Sequence, residues 1–205
     1  MTTCSSSDVM GASYTTGDVH RAPSAGGCSR EDGGGRWTGR VTRHRRAAQM
    51  TAFDRLHELL RALNDEKVDY VLFGGQAVNL HGIPRFTEDI DLFVSPMAEN
   101  VARLRQALRR LWSDPAIEEI QASDLAGDYA VVRYGTPDDF NVDLVSRIGE
   151  AFRFEDVESQ VQEFGSVPVR IATPRMLYRM KRDTLRPIDH ADAADLKAKF
   201  GIEDD

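Results

Sequence analysis

The chain is 205 residues long, a length that fits one domain. Its formal charge of −7 is unevenly spread: residues 1–49 hold 7 Arg against 4 acidic residues, whereas residues 50–205 hold 19 basic against 29 acidic residues. So acidic a body argues against general duplex-DNA binding, where phosphate neutralisation dominates affinity. It also lacks the run of about eighteen apolar residues that a membrane span needs.

Residues 1–49 are dense in Ser, Thr and Gly and poor in large apolar side chains, so they are expected to form a disordered tail. They contain no apolar core of a secretory signal, and Asp8, Asp18, Glu31 and Asp32 disfavour a transit peptide. A flexible tail gives this contrast, and so does a translation start assigned upstream of Met50. Both cysteines, Cys4 and Cys28, fall in this stretch. The rest therefore has neither a disulfide framework nor a Cys-ligated zinc site, and a cytoplasmic location is expected.

Residues 50–205 are expected to form one domain. A helix over 52–63 places Phe53, Leu56, Leu59, Leu60 and Leu63 on one stripe. A nearly continuous apolar strand follows at 68–73, broken by Gly74 and Gly75, and a helix begins about Gln76. A second strand at 88–94 stops at Ser95-Pro96, and residues 98–112 form an amphipathic helix. Its Arg103, Arg105, Arg109 and Arg110 read as the solvated side. Residues 128–134 and 140–145 alternate like half-buried strands about a turn at 135–139. A short strand at 167–171 precedes helices at 174–184 and 188–200, parted near Pro187. The order predicts a small mixed-sheet domain of the α/β (α+β) class with flanking and C-terminal helices.

The chemistry concentrates between Tyr70 and Val94, YVLFGGQAVNLHGIPRFTEDIDLFV. Residues two apart on a strand share a face, so Asp89 and Asp91 point one way while Ile90, Leu92 and Val94 point the other. Two adjacent carboxylates repel unless a cation stands between them. A hard divalent ion such as Mg²⁺, which takes oxygen ligands and substrate phosphates, suits that position. The glycine pair lies at a strand-to-helix turn, where bare N–H groups approach a polyanion closely. A third carboxylate, Asp143, sits in the apolar run FNVDLV, where burying it alone is costly. Three carboxylates are what a two-metal clamp on an in-line phosphoryl displacement asks for.

Gly74-Gly75, thirteen residues, Asp89-Ile90-Asp91 and the later strand Asp143 resemble the DNA polymerase beta-type nucleotidyltransferase superfamily. The text GGQAVNLHG-PRFTEDIDLFV is most like small bacterial nucleotidyltransferases of the AbiEii/MenT toxin kind and related antibiotic nucleotidyltransferases. MLYRMKRDTLRPIDHADAADL resembles their C-terminal helical segment, so the likeness covers about residues 66–200. It implies that Asp89, Asp91 and Asp143 bind two Mg²⁺ ions, with Mn²⁺ an alternative, and that Asp143 serves the attacking hydroxyl, also as its base. It implies that Gly74 and Gly75 cradle the β- and γ-phosphates, and that Arg85 and Thr87 touch phosphate or hold the loop. Lys181 would contact the triphosphate, against the plainer reading of a solvated helix lysine. Many relatives carry Ser at the position of Gly75, so the missing hydroxyl contact falls to a backbone N–H or water. Asp189, Asp192 and Asp195 read as helix-capping and solvated residues, and His81 as a packing residue.

The resemblance implies transfer of a nucleoside monophosphate from an NTP to an acceptor hydroxyl on a tRNA, a protein or a small molecule such as an antibiotic. It also implies a toxin paired with an antitoxin protein. Two rivals stand beside it. A glycosyltransferase also uses a strand-borne Asp-x-Asp, but the glycine turn and Asp143 argue against it. A degenerate nucleotidyltransferase fold that only binds nucleotide or a partner is the other, and Gly75 favours it.

Overall fold

The computed structural model describes residues 51–127 and 130–203. The tail expected over residues 1–49 lies outside them, as do Asp128 and Tyr129 of the expected strand at 128–134.

Helix α1 (Ala52–Asp65) starts at a reciprocal cap: the Thr51 hydroxyl accepts the Asp54 N–H at 3.2 Å, and the Asp54 carboxylate accepts the Thr51 N–H at 2.9 Å. Its leucines at 56, 59, 60 and 63 are all buried, as the spacing predicts. Strand β1 (Tyr70–Phe73) begins two residues later than expected, because the N–H of Val68 caps α1 through the Leu63 carbonyl. Helix α2 (Gly74–Leu80) then starts at the glycine pair rather than at Gln76. Gly74 has φ +64°, a left-handed value that only glycine adopts freely, and so turns strand directly into helix.

Strand β2 (Ile90–Val94), α3 (Ala98–Leu111), β3 (Val131–Gly135) and β4 (Asn141–Val145) follow, with Asp89 just before β2 rather than within it. After the two-residue strands β5 (Arg147–Ile148) and β6 (Phe152–Arg153) come β7 (Ser159–Phe164), β8 (Val167–Ala172), α4 (Pro174–Lys181) and α5 (Pro187–Phe200). Short 3-10 turns at Pro115–Glu119 and Ala122–Leu125 lead into β3.

The main sheet runs β3-β4-β2-β1-β8-β7 and is mixed: β2 pairs parallel with β4 and β1 parallel with β8, and the other neighbours are antiparallel. This is the α/β class expected. The central strand β2 is buried on both faces from Leu92 to Val94, and only its Asp89–Asp91 end opens to the cleft. The Arg face of α3 is tied down by carboxylates: Arg103 to Glu99 and Asp69, Arg109 to Glu118, Arg110 to Asp65 and Glu66. No helix among the described residues is long and apolar enough to cross a membrane.

Candidate active site

The parallel register of β2 and β4 sets Asp91 directly beside Asp143 and Ile90 beside Val142. One residue earlier, Asp89 accepts a hydrogen bond from the Asn141 amide at 2.9 Å. Sheet pairing thus brings together carboxylates that lie more than fifty residues apart in the chain. All three line one cleft of about 340 Å³, whose wall also includes Gly74, Gly75, Arg85, Thr87 and Lys181. Every residue singled out for catalysis or nucleotide binding therefore borders the same space.

Asp91 is the innermost carboxyl. Burial, then the neighbouring Asp143, pushes its pKa up to about 6; the Gly75 N–H and Lys181 pull it down, and Asp89 adds to the rise. The Gly75 N–H donates to Asp91 Oδ2 at 3.4 Å. The glycine pair is also packed tight. A Cβ on Gly74 would stand 1.9 Å from Asp91 Oδ2, and one on Gly75 would stand 2.7 Å from the Thr87 hydroxyl oxygen and 3.0 Å from the Arg85 guanidinium carbon. The hydroxyl that relatives carry at position 75 has no room here, because the Thr87 hydroxyl fills that space.

Across the cleft, α4 and α5 supply a buried ionic network. Lys181 Nζ lies 2.6 Å from Asp189 Oδ1 and 2.9 Å from Asp192 Oδ2, and Arg85 Nη1 reaches the same Asp192 oxygen at 2.7 Å. The reading of Asp189 and Asp192 as capping, solvated residues is corrected: both are at least 95 % buried, while Asp195 is exposed as expected. Lys181 is likewise buried and not a solvated helix lysine. Burial raises the Asp189 pKa, but the Lys181 ammonium, Arg186 and the Thr184 hydroxyl outweigh it and leave the carboxyl below its ordinary value. His81 is a packing residue as expected, with a ring nitrogen 2.9 Å from the Ala172 carbonyl.

The sequence reading missed Arg133. It stands opposite Asp143 on β3 and grips it with both arms, Nε to Oδ1 at 2.8 Å and Nη2 to Oδ2 at 2.7 Å. Nη2 also lies 3.5 Å from Asp89 Oδ2. The bond to Asp143 raises the guanidinium pKa above its already high ordinary value, so Arg133 is a permanent cation. Its place in an alternation of apolar residues gave no signal of this.

Among the described residues, no three acidic, histidine or cysteine side chains are gathered at metal-ligand spacing. The donor set nonetheless fits a hard divalent ion: three carboxylates border one cleft, and the inner one is held high in pKa by burial and like charge, which a cation would relieve.

A mixed sheet that carries three carboxylates to one cleft beside a glycine turn defines a nucleotidyltransferase-type domain. The chain belongs to the nucleotidyl transferase AbiEii toxin family of type IV toxin–antitoxin systems, whose family model matches residues 58–195. Among solved structures it is similar to a Thermotoga maritima protein assigned as a nucleotidyltransferase, at 12% identity and a TM-score of 0.48, covering 71% of this chain and 89% of that one. It is also similar to ANT(2″)-Ia in complex with adenylyl-2″-tobramycin, at 18% identity and a TM-score of 0.48, covering 74% and 91%. A nucleotidyltransferase-like antigen from Paracoccidioides brasiliensis matches at 16% identity and a TM-score of 0.42, covering 72% and 76%. No curated protein matches the chain.

Proposed function

We propose that this AbiEii-family chain is a metal-dependent nucleotidyltransferase that moves a nucleoside monophosphate from an NTP to an acceptor hydroxyl and releases pyrophosphate. The observation that carries this reading is the side-by-side register of Asp91 and Asp143, with Asp89 two residues before Asp91, all lining one cleft. Asp89, Asp91 and Asp143 would hold Mg²⁺ or Mn²⁺, which neutralises the triphosphate and sharpens the acceptor oxygen as nucleophile when bound. The chain's own groups do the rest. The backbone of Gly74 and Gly75 lies bare against the cleft for the β- and γ-phosphates, and Lys181, Arg85 and Thr87 line the same wall. Asp143 would serve the attacking hydroxyl, also as its base. Catalysis of this kind is positioning plus charge neutralisation. Residues 50–205 form the catalytic unit, working in the cytoplasm as the toxin of a pair with an antitoxin. The acceptor is a tRNA, a protein or a small molecule such as an antibiotic.

The second reading, a degenerate fold that binds nucleotide or a partner without chemistry, draws on Arg133, which occupies the acidic cluster. One experiment separates the two. The protein is incubated with each α-labelled NTP and Mg²⁺, in the presence of total tRNA, protein extract or aminoglycosides and lincosamides. Label is expected to move to one acceptor class, and Asp89→Asn should lower the rate by orders of magnitude, because charge stabilisation by metal supplies several kcal/mol of barrier lowering. Absence of label transfer with every acceptor, or full activity in Asp89→Asn, would sink the transferase reading.

A further inference from the structure

Arg133 raises a question that the transferase reading leaves open. Its guanidinium fork takes a lone pair on each oxygen of Asp143 and touches Asp89, so its fixed charge stands where a divalent ion would have to bind. Two cations so close together repel, so arginine and metal compete for Asp143. A permanent structural pair is the simplest account, but the Arg133 side chain is 59 % exposed, and exposed pairs contribute little to stability. Its backbone, by contrast, is fixed. The next residue, Tyr134, is buried, donates its hydroxyl to Asp114 at 2.9 Å and packs its ring against Trp112. A charged arm on an anchored strand, with open solvent around it, can leave Asp143 without disturbing the sheet.

We infer that Arg133 is a positioning residue that acts as a displaceable counter-ion. In the metal-free protein it holds Asp143 and Asp89 in register and offsets their repulsion. On loading it yields Asp143 to the divalent cation and swings to the cleft mouth, where nucleotide phosphates are its new anion. Metal and nucleotide then bind with positive coupling, since nucleotide draws Arg133 off Asp143 and metal frees Arg133 for the phosphates. The inference rests on the metal-dependent reading above and adds the residue that sets metal affinity.

Calorimetric titration of Mn²⁺ tests it, on the full chain, with and without α,β-methylene NTP analogues that cannot be cleaved. Wild type should bind Mn²⁺ weakly alone and about tenfold more tightly with analogue, a coupling in the usual range. Arg133→Ala should bind Mn²⁺ about tenfold more tightly than wild type without analogue and gain little from it. Arg133→Lys keeps a charge but loses the fork, so it should fall between the two. A purely structural role would lower the melting temperature of both variants without tightening Mn²⁺, and that result would overturn the inference. So would an unchanged nucleotide enhancement in Arg133→Ala, or no Mn²⁺ binding by either protein. The label-transfer assay judges the transferase reading independently.

Discussion

Asp91→Asn should make the metal-free protein more stable while removing its activity. The carboxyl is moved from an ordinary 3.8 to about 6, chiefly by burial and by Asp143. At roughly 1.4 kcal/mol per pH unit, that rise corresponds to a penalty of about 3 kcal/mol once the group is ionised. The sign follows from proton binding. An acid that holds its proton more tightly when folded costs nothing below pH 3.8, costs progressively more as pH rises towards 6, and costs the full amount above it. Asparagine has the same shape, cannot ionise, and can still accept the Gly75 N–H through its amide oxygen. In urea unfolding with chelator present, the variant should exceed wild type by about 3 kcal/mol at pH 7.5 and by about half that at pH 5. A variant equal to or weaker than wild type at pH 7.5 would show that Asp91 carries no electrostatic strain, and the account of the cluster would fail.

Two further substitutions read the neighbouring geometry. Gly75→Ser should cost about 1–3 kcal/mol, because its Cβ meets the Thr87 hydroxyl oxygen at 2.7 Å and the Thr87 Cβ at 2.8 Å; Thr87→Ala in the same chain removes only the first contact and should recover part of that loss. Equal denaturation midpoints for Gly75→Ser and wild type would refute the clash. Lys181→Ala should raise the apparent KM for NTP and also destabilise the fold by about 3 kcal/mol, since it strips the ammonium from two buried carboxylates. A rise in KM with an unchanged melting curve would mean that Asp189 and Asp192 are adequately held by Arg186 and Arg85.

The parts of the fold that a period reveals were legible in the sequence. The leucine stripe of α1, the apolar runs of β1 and β2 and the alternation of β4 each carry their own signal, and so does the placement of Asp91 and Asp143 on strands, whereas Asp89 falls just before β2. Strand β7 did not: SQVQEF has no clean alternation, and as an edge strand it buries little beyond Phe164 while Val161 stays exposed. Its existence is decided by the unpaired edge of β8, a tertiary fact. The acidic face of α5 misled for the same reason. Spacing of three residues places Asp189 and Asp192 on one side of the helix, but only the arrival of Lys181 and Arg85 from elsewhere makes that side an interior. Arg133 was invisible because its meaning lies in cross-strand register, which one strand's sequence does not contain.

The sharing of Asp192 between Arg85 and Lys181 also bears on the order in which the cleft is built as the chain is made. Helix α5 follows every strand of the sheet in chain order. Until it is made, Lys181 and Arg85 lack their shared carboxylate, Asp192. On the proposed transferase reading, a chain that lacks α5 would lack this anion behind the cleft wall. Domains form as units while translation proceeds at about 5–20 residues per second. On that reading the cleft would be completed only by the last helix to be made.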